Sequence, residues 1–303
     1  MKSWQQEAIK LKEQGLSGRA IARILGRSKS SVNSFFQGMA AGKDTPKQDS
    51  SVKNKGPKVL FLDIELAPLT LQGWGLFNQN FGLEQIKEDW SILSYSAKML
   101  GCDEVLYSDV SEKTEDDILT ELHFLLDSVD FVVGHNLERF DLPKIRAKMV
   151  ERGFSPYSPV RMIDTLKICK QEFKFTSNRL AYLTNLLCKR CKKSDHSEFA
   201  GFSLWSEFLK GNPDAIKTMR EYNTLDVTSL EELYLIIAPW STKAPQFEVY
   251  SEDVDMSDWE KDGYVYTNLG KYDRYRNKLT GQYKRGRINL LTKEKRASLL
   301  ANI

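Results

Sequence analysis

Apolar positions along this chain change their period several times, and each change marks an element. Between residues 4 and 14, Trp4, Ala8, Ile9 and Leu11 recur at helical spacing, and Gly15 ends the run. A second helix is predicted from Arg19 to Leu25, with Ile21, Ala22, Ile24 and Leu25 inward. Gly26-Arg27-Ser28 then makes a tight turn, and Ser28 is a natural N-cap for a third helix carrying Lys29 to Phe35. Residues 39–57 are small, polar and charged with no period, which reads as a flexible linker that lets the N-terminal unit search independently.

The pattern then turns apolar and continuous. Lys58 to Leu62 reads as a buried central strand. Ser91 to Leu100 and Glu104 to Ser108 read as further strands, and residues 113–128 as an amphipathic helix with Ile118, Leu119, Leu122, Leu125 and Leu126 on one face. Phe131 to Val133 is a short buried strand that breaks at Gly134-His135-Asn136. Asp141 opens a helix to about Val150, Val160 to Ile163 is another strand, and helices follow at about 178–187, 203–210 and 213–237. Antiparallel strands followed by alternating helices and strands predict an α/β layer fold with carboxylates at the strand ends.

Composition narrows this little. The chain has 303 residues, 41% apolar and 28% charged, with a net charge of only +3, so a global polycation is excluded. That length suits one large domain with small appendages. No run approaches a membrane span and no signal peptide is evident, so membrane association is not expected. Four cysteines, Cys102, Cys169, Cys188 and Cys191, form no regular framework, and a reducing, cytoplasmic setting follows.

The candidate chemistry sits at the end of the central strand. Asp63 and Glu65 are two apart, so they point to one face. Side by side inside a fold they repel unless a cation joins them, and hard divalent ions take carboxylate oxygens. Alone, an Asp-x-Glu pair is a weak signal. Two further pieces strengthen it: Asp141 follows the Gly-His-Asn break, and Tyr222 and Asp226, four apart, share a face of the last long helix.

In this order the pieces resemble the DEDD exonucleases of ribonuclease-H-like fold, tyrosine subtype. The motifs are Phe61-Leu-Asp-Ile-Glu65, Gly134-His-Asn-x-x-x-Phe140-Asp141 and Tyr222-x-x-x-Asp226. Within that group the chain is similar to the proofreading domain of B-family DNA polymerases, as Trp90-Ser-Ile-Leu-Ser94 and Asn178-Arg-Leu-Ala-Tyr-Leu183 also fit. The resemblance covers about residues 58–240. It implies a mixed sheet flanked by helices and two divalent ions, Mg²⁺ or Mn²⁺, held by Asp63, Glu65, Asp141 and Asp226. It further implies a Tyr222 hydroxyl that orients the attacking water, and release of 5′-mononucleotides from a free 3′ end. Lys98 and Lys167 are candidate phosphate contacts, and Asn136 and Phe140 would hold or stack the terminal nucleotide.

The first 38 residues resemble a helix-turn-helix of the resolvase and transposase kind, on the frame Gly15-Leu-Ser17, Ile21-Ala22, Leu25-Gly26-Arg-Ser28 and Val32. The resemblance implies that the third helix enters the major groove, with Lys29, Ser30 and Asn33 toward base edges and Arg27 near phosphate. Residues 241–303 form an acidic-then-basic extension. Glu248, Glu252, Asp253, Asp255, Asp258, Glu260 and Asp262 precede a stretch from 264 with ten Lys or Arg against Asp273 and Glu294. Arg274, Arg276, Lys284, Arg285 and Arg287, interleaved with tyrosines, suit contact with nucleic acid. Residues 275–287 are similar to a zinc-ribbon hairpin whose cysteine positions are Asn277 and Thr280, so a basic β-hairpin-like appendage without zinc is expected. The acidic strip is expected to fold back and mask the basic part.

Other features carry less. Cys188-Lys-Arg-Cys191 lacks a second pair for zinc. His135 reads as structural rather than as a base, and Asp164 as a supporting acid or a helix cap. The reading favoured is a metal-dependent 3′→5′ exonuclease on DNA, single-stranded ends preferred, in a bacterial or phage-infected cell. The alternatives are a DNA-binding regulatory protein with a spent nuclease fold, or the same fold acting on RNA or structured junctions.

Overall fold

The computed structural model describes residues 3–13, 18–40, 56–75, 77–190, 199, 201–241, 243–245, 247, 256–279 and 281–300. The chain divides into two compact units, Met1–Ile237 and Ala238–Ile303.

The first unit opens with three helices, α1 (Ser3–Glu13), α2 (Gly18–Ile24) and α3 (Lys29–Ala40). Ala8, Ile21, Ala22 and Val32 form their small core, with Trp4, Leu11, Leu25, Phe35 and Phe36 packed around it. Ser28 Oγ accepts from Ser31 N at 3.2 Å at the start of α3, as its cap position predicts. Of the expected linker, residues 41–55 lie outside the described residues.

The core of the unit is a five-stranded mixed sheet. Its strands are β1 (Val59–Leu66), β4 (Ile92–Met99), β5 (Val105–Asp109), β6 (Phe131–Gly134) and β7 (Arg161–Asp164), in the order β5-β4-β1-β6-β7. A two-stranded ribbon of β2 (Thr70–Leu71) and β3 (Ile86–Glu88) lies between β1 and β4 in sequence. β1 runs antiparallel to β4 and parallel to β6, so it is central and buried on both faces. Helices α4 (Glu115–Ser128) and α5 (Asp141–Glu151) cover one face. Leu60, Leu62 and Ile64 of β1 meet Ile118, Leu119, Leu122, Leu142 and Ile145 there. The alternate positions turn to the other face, where Phe61 meets Tyr234 edge-on at 5.7 Å.

Tyr234 belongs to α9 (Pro213–Ile237), which follows α6 (Thr165–Glu172), α7 (Leu180–Leu187) and α8 (Ser203–Leu209). The strand parity that puts Phe61 on this face puts Asp63 and Glu65 there too. The arrangement is the helix-flanked mixed sheet expected for a ribonuclease-H-like fold.

The N-terminal helices do not stand apart from this core. Phe36 meets Phe124 of α4 at 6.5 Å, and Lys12 Nζ lies 3.4 Å from His123 Nδ1. The independent search expected of them gives way, in the structure, to a docked position on α4.

The second unit is a three-stranded antiparallel sheet, β8 (Trp259–Thr267), β9 (Gly270–Asn277) and β10 (Tyr283–Arg285), followed by α10 (Lys293–Ala297). The expected hairpin is β9–β10; β8 is additional, and its period-2 pattern is broken by a bulge between Lys261 and Tyr264. Of the acidic strip, 248–255 lies outside the described residues, as do Thr280, Cys191 and His196. No helix among the described residues is long and apolar enough to cross a membrane.

Candidate active site

Three of the predicted acids converge. One carboxylate oxygen each from Asp63, Glu65 and Asp226 lies within 4.8 Å of the others. β1 supplies the first two by strand alternation, and α9, packed across that face, supplies the third. Asp141 joins from α5. It is buried, and its Oδ1 accepts from Ile64 N at 3.4 Å, so it lies beside the strand that carries the pair.

The electrostatics match this crowding. Burial pushes the Asp63 carboxyl well above the usual range, and the charges of Asp141, Glu65 and Asp226 push it further. Asp141 is raised to about 7, first by burial and then by Asp164, against two backbone N–H groups that lower it. Asp63 is thus crowded by three other carboxylates, and the donor set is entirely carboxylate oxygen. A hard divalent cation fits that chemistry, relieving the repulsion that burial magnifies.

One residue of the site had no motif to announce it. Asn223 Nδ2 donates to Asp63 Oδ2 at 2.6 Å, and Asn223 Oδ1 accepts from Ser94 Oγ at 3.3 Å. The available signal was its place on α9. Met219, Asn223, Val227 and Leu230 make one buried stripe, and an amide inside such a stripe calls for partners. Tyr222 is half-buried beside it and meets Trp205 edge-on at 6.2 Å. Its hydroxyl is held well above the usual tyrosine range by burial, then by Asp226, Glu65 and Asp63, so it stays protonated.

The Gly-His-Asn break is held from below. Asp164 accepts from Asn136 N at 2.9 Å, Glu138 N at 3.3 Å and Leu166 N at 3.0 Å. It is thus both the cap of α6 and the anchor of the loop, and Asn136 takes a positive φ of 70° there. His135 is structural, its ring nitrogens 2.9 Å from Thr165 Oγ1 and 2.8 Å from Asn178 O. Phe140, next to Asp141, lines an apolar hollow of about 470 Å³ together with Leu66, Pro68, Trp90, Phe202 and Trp205. Leu66 continues β1 directly after Glu65, so the hollow adjoins the acids.

Two predicted nucleic-acid contacts are corrected. Lys98 is buried and paired with Glu231 of α9, because on β4 it lies opposite Phe61 and shares its inward face. Asn33 is also buried, on the side of α3 that docks on α4, three residues before Phe36. Lys167 is near Glu138, at 3.2 Å. Arg27 remains exposed, its guanidinium 5.4 Å from the Trp4 ring centre, and Lys29 and Ser30 open α3. Cys188 is buried, its thiol directed at Ser229 O at 3.6 Å.

In the second unit Arg274 is committed within the sheet: its Nε donates to Asp262 O at 2.6 Å and its Nη2 reaches Asp262 Oδ2 at 3.3 Å. Arg276, Lys284 and Arg285 lie on β9 and β10, and Arg287 is exposed just beyond.

Residues 92–238 match the RNase_H_2 family model, of the RNase_H superfamily. The match runs from β4 through α9 and so includes Asp141, Tyr222, Asn223 and Asp226, while Asp63 and Glu65 precede it. The chain is also similar to a solved structure of the family B DNA polymerase from the hyperthermophilic archaeon Pyrobaculum calidifontis. The two are 11% identical with a TM-score of 0.47, over 65% of this chain and 27% of the polymerase chain. None of the curated proteins matches the chain.

Proposed function

We propose that this protein is a metal-dependent 3′→5′ exonuclease that shortens DNA and releases 5′-mononucleotides. The observation that carries the reading is the convergence of Asp63, Glu65 and Asp226 from two distant elements, with Asp141 beside them and Tyr222 one turn from Asp226. The superfamily match over β4 to α9, which includes Asp141, Tyr222 and Asp226, supports nuclease chemistry.

The four acids would hold two Mg²⁺ or Mn²⁺ ions, which when bound stabilise the attacking and leaving oxygens of a displacement at phosphorus. The protein's own residues do the rest. Asn223 fixes the orientation of Asp63. Tyr222, kept protonated by burial and by its acidic neighbours, orients the attacking water through its hydroxyl rather than removing a proton. The hollow beside Phe140 and Trp205 takes a flat base, and the carbonyl of Asn136, on the loop that Asp164 fixes, accepts from Phe140 N at 3.0 Å. The N-terminal helices, with Arg27, Lys29 and Ser30, favour DNA as the substrate.

The experiment is digestion of a 5′-labelled single-stranded oligodeoxynucleotide with Mg²⁺ or Mn²⁺. A ladder receding from the 3′ end, with 5′-mononucleotides released, is expected. Asp63→Ala and EDTA should each abolish it. Absence of metal-dependent shortening from purified, folded protein would sink the reading, and a parallel RNA oligonucleotide decides the sugar preference.

A further inference from the structure

The C-terminal sheet sorts its cations by type. Across β9 and β10, Arg276 lies opposite Tyr283 and Arg274 opposite Arg285. Across β8 and β9, Val265 lies opposite Tyr272. Directly opposed residues share a face, as do residues two apart on one strand. Tyr272, Arg274, Arg276, Tyr283 and Arg285 therefore project from one side. The lysines fall on the other, Lys261 and Lys284 opposite Tyr275 and Lys271 opposite Tyr266.

On the arginine side, guanidiniums and rings are interleaved. Arg285 lies 4.2 Å from the Tyr272 ring centre, and Arg274 and Arg276 lie 4.9 and 5.8 Å from that of Tyr283. Arg274 is committed to Asp262 at the bulge, whereas Arg276 and Arg285 make no ion pair among the described residues. Tyr283 is 51% exposed. Successive same-face positions on a strand are about 7 Å apart.

The geometry points to this arginine and tyrosine face as a binding surface for a single nucleic-acid strand, with Arg276 and Arg285 on phosphates and Tyr283 under a base. A planar guanidinium fork matches phosphate in two hydrogen bonds, and a tyrosine face stacks on any base. An acidic peptide would satisfy the arginines but offers no regular flat partner for the rings. The inference borrows from the proposed function only the class of ligand, since it concerns affinity and not cleavage.

The test uses the full chain in EDTA, so that no digestion occurs, titrated into a dye-labelled mixed-sequence single-stranded oligodeoxynucleotide at several salt concentrations. Replacing Arg276 and Arg285 together by alanine should weaken binding about tenfold. It should also lower the slope of log affinity against log salt by about 1.4, for two phosphate contacts on a single strand. Replacing Lys261 and Lys271 by alanine removes the same charge from the opposite face and should change affinity less than about twofold. Equal losses in the two pairs would reduce the effect to net charge, and no loss in the arginine pair would remove the surface; either overturns the inference. So would poly-glutamate that displaces the oligonucleotide as well as an unlabelled strand does. Should the alanine pair melt early, Arg276→Lys with Arg285→Lys keeps the charge and loses the fork, and an intermediate affinity is then expected. A wild-type chain that binds but never digests DNA defeats the exonuclease reading and leaves this one standing.

Discussion

Asn223 donates its amide N–H to Asp63 at 2.6 Å from the centre of α9, while Ser94 of β4 holds the other end of the same amide at 3.3 Å. The bond spans the packed layer between the helix and the sheet, and it fixes one oxygen of the carboxylate most crowded by its neighbours. Groups that orient a metal-holding acid typically matter by about 10–100-fold. Asn223→Ala is expected to lower kcat by that factor with little change in KM for DNA, and to raise the Mn²⁺ concentration needed for half-maximal rate. Asn223→Asp should be worse, since it sets another carboxylate against Asp63. A kcat within twofold of wild type in the folded alanine variant would remove the positioning role.

The same crowding has a stability cost that function imposes. Asp63 is raised first by burial and then by Asp141, Glu65 and Asp226, so its charged form is disfavoured in the metal-free fold. Asp63→Asn keeps the shape and an acceptor for Asn223 while removing one repelling charge. In EDTA this inactive variant is expected to melt about 2–6 °C above wild type, the shift for roughly 1–2 kcal/mol in a unit of this size. Added Mn²⁺ should raise the wild-type melting temperature and move the variant far less. Thermal melting with and without Mn²⁺ checks both, and a variant melting below wild type in EDTA contradicts the account.

What the sequence made legible was whatever local pattern determines. The central strand and the inward helices followed from apolar spacing, and Asp63, Glu65, Asp141, Tyr222 and Asp226 followed from motifs whose spacing matches strand or helix faces. Asn223 escaped because a polar residue on an inward stripe has meaning only once its partner across the layer is known. Lys98 was misread for a related reason: it lies opposite Phe61, and that parity already pointed it inward toward α9. Asn33 could not be placed from α3 alone, because its side chain lies against Gly18 of α2, which Asp127 of α4 also approaches. The strand β8 was hidden by its acidic residues and by the bulge that breaks its alternation.

Gly18 tests whether the N-terminal helices are docked or loose. A Cβ there would lie 2.7 Å from Asn33 Oδ1 and 2.9 Å from Asp127 Oδ2. Asp127 cannot easily yield, since its other oxygen accepts from Ser158 N at 2.7 Å and Ser158 Oγ at 2.6 Å. Gly18→Ala is expected to weaken docking by about 1–3 kcal/mol, as overpacking does. Amide exchange in α1 to α3 should quicken while the sheet stays protected. Unchanged exchange in those helices would mean that the close approach of Gly18 to α4 does not hold in solution.

His123 makes the docked position sensitive to acid. It is buried, and its Nε2 lies 2.8 Å from Ser155 O, which can only accept, so Nε2 carries the proton. Nδ1 is then the acceptor facing the Lys12 ammonium at 3.4 Å, and a second proton there would set two donors against each other. Burial lowers the His123 pKa below its usual 6.5, Lys12 lowers it further, and Asp127 and the Ser155 carbonyl oppose them. The rings of Phe154 and Tyr157 complete its surroundings at 5.7 and 6.1 Å. Because the folded value lies below the unfolded one, the unfolded chain binds the proton first as pH falls. The stabilisation is complete above about pH 6.5 and is lost as pH falls from there through the folded value. Asp141 and Asp63, whose pKa values are raised, act in the opposite sense in both proteins, so the wild-type melting temperature should fall relative to that of His123→Gln, which cannot titrate, between about pH 7.5 and pH 5.5. Amide exchange in α1 should quicken over the same window in wild type alone, and parallel pH curves for the two proteins would assign the acid sensitivity to other groups.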